Sequence, residues 1–109
     1  MKSEKSYWLS FDLGVEGDYT GLYQWLDNHN AKPCGNNVAF FKYPVDVEDT
    51  DAKLKKDIEE HVKLKPRNKL YIIRVNEENQ IEGTFIFGKR GYSPWEGYGS
   101  DKENQTDDY

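Results

Sequence analysis

Asp12 is the carboxylate of this chain best placed for chemistry. It ends the run Tyr7-Trp8-Leu9-Ser10-Phe11-Asp12, followed by Leu13 and Gly14. Tyr7, Leu9, Phe11 and Leu13 alternate with Trp8, Ser10 and Asp12. That period of two reads as a strand with one apolar and one mixed face. A carboxylate near a strand's C-terminal end, ahead of a glycine turn, is where small α/β folds often carry their chemistry. Mg2+ suits such a place, because it takes oxygen ligands, keeps several waters and needs only one or two carboxylates. A bound ion would activate water or stabilise a transferring phosphate. The competing reading is that Asp12 caps the turn, accepting from backbone amides near Gly14.

Positive charge gathers in two places. Lys63, Lys65, Arg67 and Lys69 follow a predicted second helix, and Lys89 and Arg90 follow the last predicted strand. Tyr92, Trp95 and Tyr98 come next. Cations near aromatics suit a single-stranded nucleic acid, through phosphate contact and base stacking. Lys65, Arg67, Lys69, Lys89 and Arg90 are therefore candidate nucleic-acid contacts. The alternative is a solvated helix end, plus an aromatic arm that packs on its own sheet or on a partner. The formal net charge of -5 works against phosphate affinity. Residues 99–109 hold much of it, with Asp101, Glu103, Asp107 and Asp108 against Lys102. Gly88-Lys89-Arg90-Gly91 lacks the spaced glycines and Lys-Ser/Thr ending of a phosphate loop.

The remaining reactive types are sparse. His29 and His61 titrate near neutrality, but each falls at a predicted helix C-terminus, where histidine favours the helix dipole. Cys34 is the single cysteine. No basic residue is evidently placed to activate it, so it reads as a bystander thiol.

The elements that must position these groups follow from the pattern. Asp18 is an N-cap for a helix to about Asn28, with Tyr19, Leu22, Tyr23 and Leu26 as its apolar stripe and Trp25 widening that face. Residues 31–34 make a short strand that Pro33 confines to an edge. Gly35-Asn36-Asn37 is a hairpin turn. Residues 38–43 are almost wholly apolar and read as a central strand. Asp46, Glu48, Asp49 and Asp51 then favour a helix N-terminus, and Leu54, Ile58 and Val62 give that second helix its buried stripe. Residues 70–75 form another apolar strand. Residues 81–87 form a fifth, with Ile81, Phe85 and Phe87 on one face and Gly83 interrupting the row.

This order predicts an α+β, ferredoxin-like βαββαβ fold with an additional C-terminal strand. Its antiparallel sheet carries two helices on one face. The chain fits one domain over residues 1–98, including the aromatic arm, and an acidic, disordered tail over 99–109. Only 36% of residues are hydrophobic. A core this lean favours a homodimer, through residues 81–87 or 92–98. One cysteine, a polar start and no long apolar run make a cytoplasmic protein without a membrane span the expectation.

The strand ending Phe11-Asp12-Leu13, the glycine-containing hairpin, Val38-Ala39-Phe40-Phe41, the charged helix and Leu70-Tyr71-Ile72-Ile73 together resemble a known superfamily. It contains the CRISPR-associated adaptation protein Cas-two and virulence-associated protein D. The resemblance covers residues 7–87 in element order. It implies a ferredoxin-like homodimer whose last strand crosses to the partner's sheet. It also implies that two copies of Asp12 face each other across the dimer axis, where the pair can hold a divalent metal, and an endonuclease activity on RNA or DNA. Lys32-Pro33-Cys34 and Val38 depart from the family pattern, which usually has an arginine in the second strand and a serine opening the third. A non-catalytic dimeric module for a protein partner is the alternative function. A small-ligand sensor with Trp8 and Trp95 in an aromatic pocket is a third.

Overall fold

The computed structural model describes residues 3–45 and 49–99. Seven elements follow in the order β1 (Glu4–Asp12), α1 (Tyr19–Asn28), β2 (Lys32–Pro33), β3 (Val38–Pro44), α2 (Thr50–His61), β4 (Lys69–Val75) and β5 (Ile81–Phe87). The strands form one five-stranded sheet in the order β2-β3-β1-β4-β5, every neighbouring pair antiparallel. Its first four strands have the ferredoxin-like arrangement, and β5 extends the sheet beyond β4. The resemblance implied a last strand that leaves for a partner; instead β5 pairs along its length with β4 of its own chain. The short turn 76–80 explains this, because it brings β5 straight back beside β4. Asn76 holds the turn by accepting from Glu78 N and Gln80 N. The tail read from the sequence lies, beyond Gly99, outside the described residues, as do Asp46 and Glu48.

One face of the sheet builds the core. Tyr7, Leu9 and Phe11 of β1, with Leu13 just beyond it, join Ala39, Phe41 and Tyr43 of β3 and Leu70 and Ile72 of β4. Leu22, Trp25 and Leu26 of α1, Leu54 and Ile58 of α2, and the adjoining Val62 cover them. Each large side chain so buried contributes about 1.5–3 kcal/mol. Asp18 caps α1 through Gly21 N, and its second oxygen accepts from Lys63 N after α2. These backbone donors, first from Lys63 and then from Gly21, hold the Asp18 carboxyl below its usual pKa.

Two local expectations need correction. Tyr23 does not join the buried stripe of α1; it is 51% exposed, and Trp25 takes the central place at 2%. Leu22, Trp25 and Leu26 are spaced i, i+3 and i+4, which aims all three at the sheet. Tyr23 is left at the rim, edge-on to Phe11. In β5, Phe87 leaves the Ile81 and Phe85 face. A bulge puts Leu70 opposite Phe87 but Tyr71 opposite Phe85. The extra residue, Ile86, is buried, and Phe87 packs against the core.

Candidate nucleic-acid interface

Asp12 lies on the face of the sheet away from the helices, with Trp8 and Ser10. Its Oδ1 accepts from Gly14 N at 3.1 Å, which is the turn-capping contact expected of an aspartate there. Across the sheet Asp12 is the partner of Lys69 at the start of β4. Lys69 is held in register by Asn68, a buried side chain. Its amide donates to the Leu13 carbonyl at 3.1 Å and its oxygen accepts from Lys65 N at 2.8 Å. Asn68 thus ties the end of β1 to the segment that carries Arg67 and Lys69. Sequence reading did not single it out, and its one signal is a lone amide beside a strand start.

The second group of cations arrives through Gly88. This residue ends β5 with φ +80°, in the left-handed region. A Cβ there would sit 2.5 Å from the Asn68 carbonyl oxygen and close to Lys69. Glycine alone lets the chain turn against the backbone of residues 68–69. The turn delivers Lys89 and Arg90 to the place where Arg67 and Lys69 already stand. Asp12, Arg67, Lys69, Lys89 and Arg90 line one open cleft of about 540 Å3. A smaller depression of about 290 Å3 shares Asp12, Lys69 and Arg90 with it and continues over Ser10, Tyr71 and Phe85. The Arg90 guanidinium lies 5.5 Å from the Phe85 ring centroid and 5.9 Å from that of Tyr71. Four of the five cations read from the sequence therefore converge. The fifth, Lys65, does not, because its ammonium donates to the Glu16 carbonyl at 2.9 Å.

Negative charge collects at the other end of the sheet. Asp49, Asp51, Glu77, Glu78 and Glu82 border a cleft of about 550 Å3 there, beside Lys5 and Arg74. Arg74 donates Nε to Asp51 at 2.8 Å and Nη1 to Glu82 at 2.7 Å. The Tyr7 hydroxyl donates to Asp51 at 2.6 Å. Burial, and then that hydrogen bond, push the Tyr7 phenol well above its usual pKa, so it remains a donor. The sheet thus has a basic end and an acidic end. The overall charge is a poor guide to what the basic end attracts, since exposed charges more than about 10 Å apart are largely screened at physiological salt.

The other sequence candidates stand apart from this cleft. His29 bonds back to the Trp25 carbonyl through Nδ1 at 2.7 Å and stacks on the Trp25 ring at 3.8 Å. His61 bonds to the Asp57 carbonyl, and the Tyr43 hydroxyl donates to the Asp57 carboxylate. The Tyr43 hydroxyl thus ties β3 to α2, and His29 Nε2 at the end of α1 lies 3.9 Å from the same Asp57 carboxylate. Cys34 is exposed. Tyr92, Trp95 and Tyr98 are 72–81% exposed, so the aromatic arm does not pack on its own sheet.

Among the described residues, no group of three or more His, Cys, Asp or Glu side chains is arranged to hold a metal ion. At Asp12 one chain offers Mg2+ a single carboxylate amid four cations, a setting whose charge suits an anion better than a dication. No described helix is long and apolar enough to cross a membrane. Compared with known proteins, the chain matches no family model, no curated protein and no solved structure.

Proposed function

We propose that this protein binds nucleic acid, holding the phosphate backbone in the cleft between β4 and the turn after β5. The observation that carries the reading is the convergence of Arg67, Lys69, Lys89 and Arg90 from two segments twenty residues apart in sequence. Cations spread for solubility do not require a glycine-only turn to bring them together. Four phosphate contacts on a single strand predict that log K falls with log salt at a slope of about -3. Fluorescence anisotropy of a labelled strand across a salt series measures it. No binding of RNA or DNA at low salt would refute the reading.

Mg2+-dependent cleavage by a Cas-two-like homodimer is the stricter version. It is favoured by the exposed carboxylate of Asp12 at the rim of the cleft, and it needs a second Asp12 from another copy. The two versions predict different effects of Asp12→Asn, which keeps the acceptor for Gly14 N and removes the charge. If the cleft only binds, loss of this negative charge tightens binding, by about threefold for an assumed charge separation of about 7 Å in water. If a shared metal cleaves, the substitution abolishes the Mg2+-dependent product on a gel.

A homodimer joined at the outer edge of β5 is a separate proposal. Among the described residues no strand pairs with that edge, and Ile81 on β5 is 77% exposed. Edge pairing in one continuous sheet would separate the two β1 strands by five inter-strand spacings, about 24 Å. Two Asp12 residues so placed cannot share an ion, so an edge dimer belongs with the binding version and with a non-catalytic role.

A further inference from the structure

The face of the sheet away from the helices carries two aromatic pairs. Trp8 and Phe40 are cross-strand partners whose ring centroids lie 4.9 Å apart. Tyr71 and Phe85 are also partners, at 4.8 Å and edge-on. The pairs are offset by one step along the sheet, because Trp8 is opposite Ile73 while Ser10 is opposite Tyr71. With strands about 4.8 Å apart and about 3.4 Å per residue, Trp8 and Tyr71 stand about 8 Å apart on a diagonal. None of these four rings serves the core, which lies on the other face.

Gly83 positions the second pair. It is the partner of Ile73, next to Tyr71 on the same face. A Cβ on Gly83 would overlap the Tyr71 hydroxyl and ring carbons. The missing side chain is therefore the space into which Tyr71 leans. Arg90 lies over both Tyr71 and Phe85 and also borders the cationic cleft. One guanidinium thus joins the aromatic surface to the phosphate surface.

We propose that these two pairs are stacking stations for unpaired bases, so that the ligand is a single strand of RNA or DNA and not a duplex. This rests on the phosphate-binding reading of the cleft. A strand held there would run diagonally from the Arg90 end towards Trp8, placing one base at Tyr71 and Phe85 and another at Trp8 and Phe40. Every base has a π-face, so the stations tolerate sequence; stacking of this kind is worth about 5- to 150-fold in affinity per base. A duplex keeps its bases inside its own stack and offers these rings nothing. Gly83 is a positioning residue for Tyr71.

The test compares three labelled ligands by anisotropy: an eight-nucleotide single strand, the same backbone without bases, and a hairpin duplex. The expected result is that the native strand binds at least tenfold more tightly than either other ligand. Trp8→Ala and Phe85→Ala should each weaken the native strand about tenfold and leave the abasic strand unchanged. Gly83→Val should reproduce the Phe85 effect, and Trp8→Leu and Phe85→Leu keep the test available if the alanine variants unfold. Equal binding of native and abasic strands would overturn the stations while leaving the phosphate cleft intact. Binding of none of the three would overturn the cleft itself, and the stations with it. Aromatic variants that change the mass by light scattering would instead make this face a contact between copies of the chain, and would overturn the proposal.

Discussion

Exchanging Lys69 and Arg90 for glutamate together is expected to weaken single-strand binding more than a hundredfold at 50 mM salt. Both residues border the two depressions that form the proposed interface. Each reversal removes an attraction and adds a repulsion. At about 4 Å in water-like surroundings each of those terms is about 1 kcal/mol. Two reversals therefore amount to about 4 kcal/mol before screening, and about 3 kcal/mol remains a hundredfold change. Lys55→Glu with Lys56→Glu is the matched control, since it changes the same net charge on the exposed side of α2. It should alter binding less than about threefold. Equal losses in both pairs would mean that overall charge governs binding and the cleft has no special role.

Arg74→Met is expected to cost about 3 kcal/mol of folding stability. Asp51 and Arg74 have side chains only 18% and 14% exposed. Burial alone would raise the Asp51 pKa, but the hydrogen bonds from Arg74 and Tyr7 and the charge of Arg74 outweigh it. The carboxyl therefore titrates below its usual value. Removing Arg74 leaves Asp51 half-buried with Tyr7 as its remaining strong donor among these partners, and breaking such a pair is costly because one charge stays uncompensated. The pH dependence has a definite sign. A depressed folded pKa stabilises the protein above the unfolded value of about 3.9, and this contribution is lost as pH falls through the folded pKa. Urea unfolding at pH 7 and at pH 3 measures both effects. Arg74→Met should move towards wild type at the lower pH. A loss under about 1 kcal/mol at pH 7 would mean that solvent already screens the pair.

Much of the fold was legible because local signals agreed. The apolar runs at 38–43 and 70–75 had to be inner strands, and Leu54, Ile58 and Val62 could only face a core. Asp18 capped the helix it was expected to cap. The failures were tertiary. The choice between Trp25 and Tyr23 depends on where the sheet lies beneath α1. The turn of Phe87 depends on a bulge that no local pattern marks.

The candidate interface was legible only in pieces. Lys69 and Arg90 were visible as cations, yet their meeting depends on the order β1-β4-β5 and on Gly88. Lys65 belongs to the same run as Arg67 in sequence but turns to Glu16 instead. Trp8 and Phe40 sit in separate strands, and only the register of β1 against β3 makes them neighbours. Charge and ring type can be read from the chain; convergence requires the sheet.

The most direct measurement is an amide chemical-shift map of the protein titrated with an eight-nucleotide single strand. The largest shifts are expected on Ser10, Asp12, Lys69, Tyr71, Phe85 and Arg90, with Trp8 and Phe40 following as the strand crosses the sheet. Shifts centred on Asp51, Glu77 and Glu82 at the acidic end, or no shifts with excess strand at low salt, would contradict it.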